Sequence, residues 1–405
     1  MRHDNLTVTG QTSILISAIV FLLLLPGCAN SANETEELRR YLESTANFDV
    51  TDIYQLERGE LVSKLLPLKE KHELAFCGVI SIGASPEKGF EIFKERLSRL
   101  DKKSLMASGS FSDAPTITDL QTLTLEKSDI EALRKCRVGS CDMNLSAEMI
   151  SRIQNEVEWD GPNYAEQVTA LYQRLILEYV LDYRSRGQEA LIEYNNKPQA
   201  ISLRKENEIL LRELSWIDSY APEFLRYLQN SPGAASDIRR SINWGKIKLG
   251  LRPVFIITEL ITFSTNGRTA GNDYLLSVSR QIYASHFLDS SLGLIALMRD
   301  PRSDTSDSSY LLYVNHSRSP ALRGVFGKFI RKLVEPEVME KLKLLLQNTK
   351  AFADYDRTKK ELPPPVPTPR DRVIYWMSKY PYLIGLLILI ATLMIINRVR
   401  RTVMK

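Results

Sequence analysis

The stretch from residue 241 to residue 316 constrains the fold more than any other part of the chain. It holds five runs rich in β-branched and aromatic residues, at 241–248 (SINWGKIK), 253–265 (PVFIITELITFST), 275–283, 291–298 and 309–316. Asn266-Gly267 marks a turn, and Gly271-Asn272-Asp273 and residues 300–307 are polar loops between runs. A parallel pair of strands needs a crossover of a dozen or more residues. The connections here are shorter, so the runs read as an antiparallel meander. A long amphipathic stretch follows at 320–353. Leu322, Phe326, Phe329, Ile330 and Leu333 form one apolar face, and Val338, Leu342, Leu345 and Leu346 continue it beyond Pro336, which kinks or divides the helix.

Upstream, residues 74–83 (LAFCGVISIG) read as a buried strand. Ser85 and Pro86 then suit the cap and first position of a helix whose face is Phe90, Phe93, Leu97 and Leu100. Short strands are expected at 105–111 and 120–125. Ser128 with Glu131 three residues on makes a capping box. Residues 142–230 read as a large helical block. Tyr164, Tyr172, Tyr179 and Tyr183 recur at helical spacing within it, a stripe that reads as core with its hydroxyls at the rim.

The two ends suggest export and membrane attachment. Residues 1–27 carry Arg2 and an apolar run at 14–25, too short for a comfortable membrane span and suited to a signal peptide. The run ends in Leu25-Pro26-Gly27-Cys28, which resembles a bacterial lipobox with Cys28 as the lipidated residue. Residues 28–73 read as tether and lead-in, and 74–353 as the globular body. Residues 354–372 contain three consecutive prolines and read as a semi-rigid linker. Residues 373–397 are expected to form a transmembrane helix with an aromatic flank, and 398–405 a basic cytoplasmic tail. The body would then lie on the exported, periplasmic or extracellular, side of a bacterial cell membrane.

Chemistry is sparse. The net charge of +4 gives no reason to expect nucleic acid as a partner. Cys136 and Cys141, five apart in KCRVGSCD, can be a disulfide, two metal ligands or two buried thiols. No further Cys or His stands nearby to complete a metal set, and a disulfide is the first choice in an oxidising compartment. Ser285, His286 and Asp289 lie in one short segment, but no nucleophile elbow accompanies them. His316 ends the last strand and could approach His286 if the strands pair as expected. The chain reads as a binding protein before an enzyme, with no catalytic residue, metal or cofactor assigned. Tyr283, His286 and Trp244 are the candidate pocket residues.

The order of strand, Ser-Pro-Glu helix, further strands, meander and long C-terminal helix resembles the START-like (helix-grip, SRPBCC) superfamily over residues 74–353. The strings CRVGSCD (136–142) and SRQIYASHF (279–287) also look like those of an uncharacterised family of bacterial exported proteins. The first resemblance implies an α+β, helix-grip-like body whose antiparallel sheet wraps the long C-terminal helix around a hydrophobic cavity. Residues 142–230 would be an insertion, and the transmembrane helix an addition. The function it implies is binding of a lipid or other hydrophobic small molecule beside the membrane. The alternatives are an adaptor for envelope proteins and an envelope hydrolase using His286.

Overall fold

The computed structural model describes residues 38–358, apart from 101–103, 220, 231–236, 250–251, 266–273, 301, 304–306 and 324–326. Residues 38–44 are helical. Then come α1 (Val50–Glu57), β1 (Val62–Leu65), β2 (Glu73–Ile82), α2 (Pro86–Leu100) and β3 (Leu105–Ser110). The helical block contributes α3 (Lys127–Lys135), α4 (Ala147–Glu156), α5 (Tyr164–Arg186), the short pair β4 (Glu193–Tyr194) and β5 (Ile201–Ser202), α6 (Leu203–Leu211) and α7 (Pro222–Asn230). The chain continues through β6 (Ile238–Leu249), β7 (Arg252–Ser264), β8 (Tyr274–Ala284), β9 (Ser290–Arg299), β10 (Ser309–Arg318) and α8 (Gly327–Thr358). Local chemistry sets several helix starts. Asp49 accepts the amide of Asp52 while Asp52 answers with a bond to the amide of Asp49, and Ser146 accepts the amide of Met149.

Eight strands form one antiparallel sheet in the order β1-β2-β10-β9-β8-β7-β6-β3. Its central strands are buried on both faces, so their sequences are nearly continuous apolar runs rather than clean alternations. Side chains of opposite parity serve opposite faces. On one face Cys77, Val79, Val278, Leu292, Leu294, Leu312 and Val314 pack with the N-terminal segment and the helices α6 and α7. The same face carries Trp244, Phe255, Ile257 and Tyr283 farther along, under α4 and α5. On the other face Ile80, Ile82, Leu275, Leu297 and Leu311 pack with Phe90 and Phe93 of α2 and with Leu342, Leu345 and Leu346 of α8.

The buried Glu259 ties the helical block to the sheet. Its carboxylate receives the Tyr183 hydroxyl at 2.6 Å and pairs with Arg280 of β8 at 2.6 Å and with Arg240 of β6. Arg280 also donates to the carbonyl of Leu228 at 3.2 Å, so α5, α7 and three strands meet at one charge cluster. Burial pushes the Glu259 carboxyl up, but the Arg280 and Arg240 charges outweigh it and hold it below its ordinary value.

The expected architecture, a helix-grip body with an added transmembrane helix, is corrected. The chain is α+β, with an eight-stranded antiparallel sheet and helices on both of its faces. Helix α8 does not roof a cavity where it crosses β2. A Cβ on Gly78 would stand 2.6 Å from Leu346 Cδ1 and 3.1 Å from Leu342 Cδ2, so helix and strand are in direct contact there. Among the described residues no helix is long and apolar enough to cross a membrane. The span expected at 373–397, its basic tail, the signal peptide and Cys28 all lie outside the described residues.

Smaller differences have local causes. The segment at 38–66 is core rather than tether, because Leu38, Tyr41, Leu42, Phe48, Ile53, Leu56, Val62 and Leu66 are buried. No strand forms at 120–125. The Thr116 and Asp119 pair caps a 3-10 turn at Ile117–Leu120 instead. Pro336 sits inside α8 without ending it, and the helix runs through residues 354–358, where the linker was expected to begin.

Candidate functional site

The sequence-chosen residues fall in the packed interior. Tyr283 is fully buried and hydrogen-bonded to the Tyr172 hydroxyl at 3.0 Å and the Asn144 carbonyl at 2.9 Å. Trp244 donates to the carbonyl of Asp119 at 2.9 Å and lies across Gly109, where a Cβ would come within 2.6 Å of its indole nitrogen. Both rings flank Phe255, at 5.8 and 5.9 Å between centroids. Two surface clefts of about 300 and 290 Å³ lie in the helical block, and neither is lined by Tyr283, His286 or Trp244.

His286 is also buried, and both ring nitrogens are engaged. Nδ1 lies 2.8 Å from the carbonyl oxygen of Asp142, which can only accept, so Nδ1 carries a proton. Nε2 lies 3.3 Å from the Asp129 carboxylate. Ser285 and Asp289 are occupied separately: the Ser285 hydroxyl accepts the amide of Phe255, and Asp289 pairs with Arg323 at 3.1 Å. The three residues are neighbours in sequence with different partners, and no nucleophilic relay is assembled. His316 is bound to Glu73 at 2.9 Å, away from the partners of His286. Cys136 and Cys141 are joined by a disulfide, with Cα atoms 4.5 Å apart. Their turn, closed by Gly139 at φ +80°, delivers the Asp142 carbonyl to His286. Among the described residues no group of three His, Cys, Asp or Glu side chains could hold a metal ion.

A constellation that sequence reading did not find lies on the face shared with α2 and α8. Toward one end of the sheet this face changes from Leu275, Leu297 and Leu311 to Ser279, Ser291, Asn315 and Ser317, all only half-buried although their strands are central. The register sets Ser279, Gly293, Asn315 and Phe76 in one row across β8, β9, β10 and β2. Gly293 adds no side chain to that row, and its neighbours close in on it. At the position a Cβ would occupy, Ser279 Oγ is 3.3 Å away, Asn315 Nδ2 3.5 Å and Tyr313 Oη 3.7 Å. Three polar groups from two strands thus converge on one point over a third.

Hydrogen bonding fixes the polarity of this point. The Ser317 hydroxyl donates to Asn315 Oδ1 at 2.8 Å, and having a single proton it must accept from Ser291, 2.8 Å away. Asn315 therefore turns its NH2 toward Gly293. Burial raises the Tyr313 phenol above its ordinary value, the neighbouring Asn315 opposing this, so Tyr313 keeps its proton. The point is a neutral site rich in donors, walled by Phe76 and Phe93, whose rings lie 6.2 and 5.6 Å from that of Tyr313. Leu260, paired with Ser279, extends the wall along β7. The arrangement can hold an uncharged acceptor such as a carbonyl oxygen, with an apolar remainder against the aromatic rings.

Comparison of the chain with family models, with curated proteins and with solved structures finds no match. The reading of this site therefore rests on its geometry.

Proposed function

We propose that the protein is a binding module for an amphiphile. The ligand's neutral carbonyl would sit over Gly293, and its hydrocarbon part would lie against Phe76, Phe93 and Leu260. The observation that carries this reading is the convergence of Ser279, Asn315 and Tyr313 within 3.3–3.7 Å of the position a Cβ on Gly293 would take. The reading is one of binding rather than catalysis. Two of the three convergent groups are presented as donors, none is charged, and both His286 nitrogens are engaged with other residues. The exported compartment is the natural setting, since the Cys136–Cys141 bond persists where thiols are oxidised.

A titration of the purified full chain in mild detergent with a fluorescent fatty-acyl amide tests the reading. Gly293→Val should weaken binding about tenfold or more, which is about 1.4 kcal/mol, because its methyls occupy the carbonyl position. The added Cβ stands 3.3 Å from Ser279 Oγ, so the melting temperature is read alongside to separate loss of the site from loss of packing. Equal affinity in parent and variant would remove the site from consideration.

A further inference from the structure

Two rows of side chains stand on the free side of the first half of α8. Phe329 and Leu333, one turn apart and so on one face, are 62% and 59% exposed. Lys328 and Lys332 form the row beside them, both exposed. Among the described residues neither lysine has an ion-pair partner, whereas Arg152, Arg186 and Arg204 on α4, α5 and α6 each pair with a carboxylate one turn away. The two lysines repel each other across one turn, and the first turn of α8 holds no acid to suit the positive end of the helix. Other exposed apolar side chains gather at the same end of the molecule. Arg331 donates to the carbonyls of Lys71 and Glu73 at 3.0 and 2.7 Å, so the start of α8 lies against the β1–β2 loop, where Leu68, Glu70 and Lys71 are exposed. Register joins Glu73 to Arg318 and Arg318 to Ser290, which brings the turn carrying exposed Phe287 to this end as well. The row that contains Gly293 lies three residues along the strands, about 10 Å farther in.

We propose that this end of the molecule docks on an anionic lipid surface, with Phe329 and Leu333 in its apolar phase and Lys328 and Lys332 at its head groups. Charge selects this occupant, because unpaired ammonium groups flanking apolar side chains match negative head groups over hydrocarbon. Shape agrees. The apolar groups project from separate segments at one end, whereas a bound peptide helix would need a groove. Docking there deepens the amphiphile reading and rests on it for its purpose, since a lipid layer is the source of such a ligand.

The test is fluorescence quenching on the full chain, reconstituted into vesicles that carry a spin-labelled lipid as quencher. Phe329→Cys is labelled with nitrobenzoxadiazole, the dye standing in for the ring, and Leu181→Cys, an exposed position on α5, is the control. The parent chain supplies the background from its own thiols. In vesicles of equal parts phosphatidylcholine and phosphatidylglycerol the label at 329 should be quenched several-fold more than the control, and in phosphatidylcholine alone much less. Adding Lys328→Glu and Lys332→Glu should return quenching to the control level. The melting temperature should hold or rise, because an acid in the first turn suits the helix N-terminus, so the loss reports the surface and not the fold. A label at 329 quenched no more than the control in the anionic vesicles would overturn the proposal. So would quenching that the two charge reversals leave unchanged. In detergent the same charge reversals should keep parent affinity for the fatty-acyl amide, and in vesicles Gly293→Val should keep the quenching, so docking and ligand binding fail separately.

Discussion

At the scale of single residues, the structure singles out positions by what their side chains are denied. Phe287 has φ +61°, a left-handed conformation that a bulky residue rarely adopts. The amide of Leu288 bonds to the carbonyl of His286 at 2.7 Å around it, closing a tight three-residue turn. The turn is held because His286 is fixed on one side and the Ser319 hydroxyl binds the Phe287 carbonyl on the other. The ring itself is 43% exposed and makes limited packing. Phe287→Gly should therefore leave stability unchanged or raise it by up to about 1 kcal/mol, measured by urea unfolding, since relief of left-handed strain offsets the entropy of glycine. A loss of several kcal/mol would mean that the ring packs more than its exposure indicates. Gly293 is the converse case, a residue whose missing side chain lets Ser279, Asn315 and Tyr313 close in on one point.

At the scale of elements, the joint between helical block and sheet is the most exacting. Glu259 is 1% exposed and answers two arginines and a tyrosine from β6, β8 and α5. Glu259→Ala should cost about 3–5 kcal/mol, read by chemical denaturation, because it strands Arg280 without its counter-charge in the interior. A cost below about 1 kcal/mol, the range of an exposed pair, would mean that water reaches the cluster. The elements themselves were largely legible in the sequence. Strands 253–265, 275–283 and 309–316 announced themselves through β-branched and aromatic content, and the C-terminal helix through Leu342, Leu345 and Leu346 at helical spacing. Burial of the N-terminal segment was not legible, because Leu38, Leu42, Phe48 and Leu56 are interspersed with charge and gain meaning only against α6 and α7. The Gly293 site was missed for a related reason: its groups come from different strands and meet only through register. A signal was present all the same. Ser277, Ser279, Ser291, Gly293, Asn315 and Ser317 are small or polar residues of one parity in otherwise apolar strands.

At the scale of the whole molecule, pH should act through two buried groups with opposite signs. Burial, aided by the charges of Arg323 and Arg318, lowers His72 to about 4. Its Nε2 accepts both Arg318 Nε at 3.1 Å and Nη2 at 2.8 Å, bonds that a proton would break. The unfolded chain takes up this proton near the ordinary histidine value and the folded chain resists it, so stability falls as pH drops from about 6.5 toward 4. Asp289 is raised to about 6, first by burial and against the charge of Arg323. Its contribution is fully present below the ordinary aspartate value and is lost as pH rises through about 6. The two effects oppose each other between about pH 4 and 6. His72→Gln should raise the melting temperature at about pH 5 relative to the parent and leave it unchanged at about pH 7.5. Asp289→Asn should raise it more at about pH 7.5 than at about pH 4.5. Melting curves with the reverse ordering would contradict the assignment. These groups set the conditions under which the molecule is stable, while the central claim concerns what it holds over Gly293. Native mass spectrometry of the full chain, released from detergent micelles, tests that claim most directly. The parent chain should carry a stoichiometric amphiphile that is lost from Gly293→Val; a parent chain carrying no ligand, or a ligand retained equally by the variant, would contradict it.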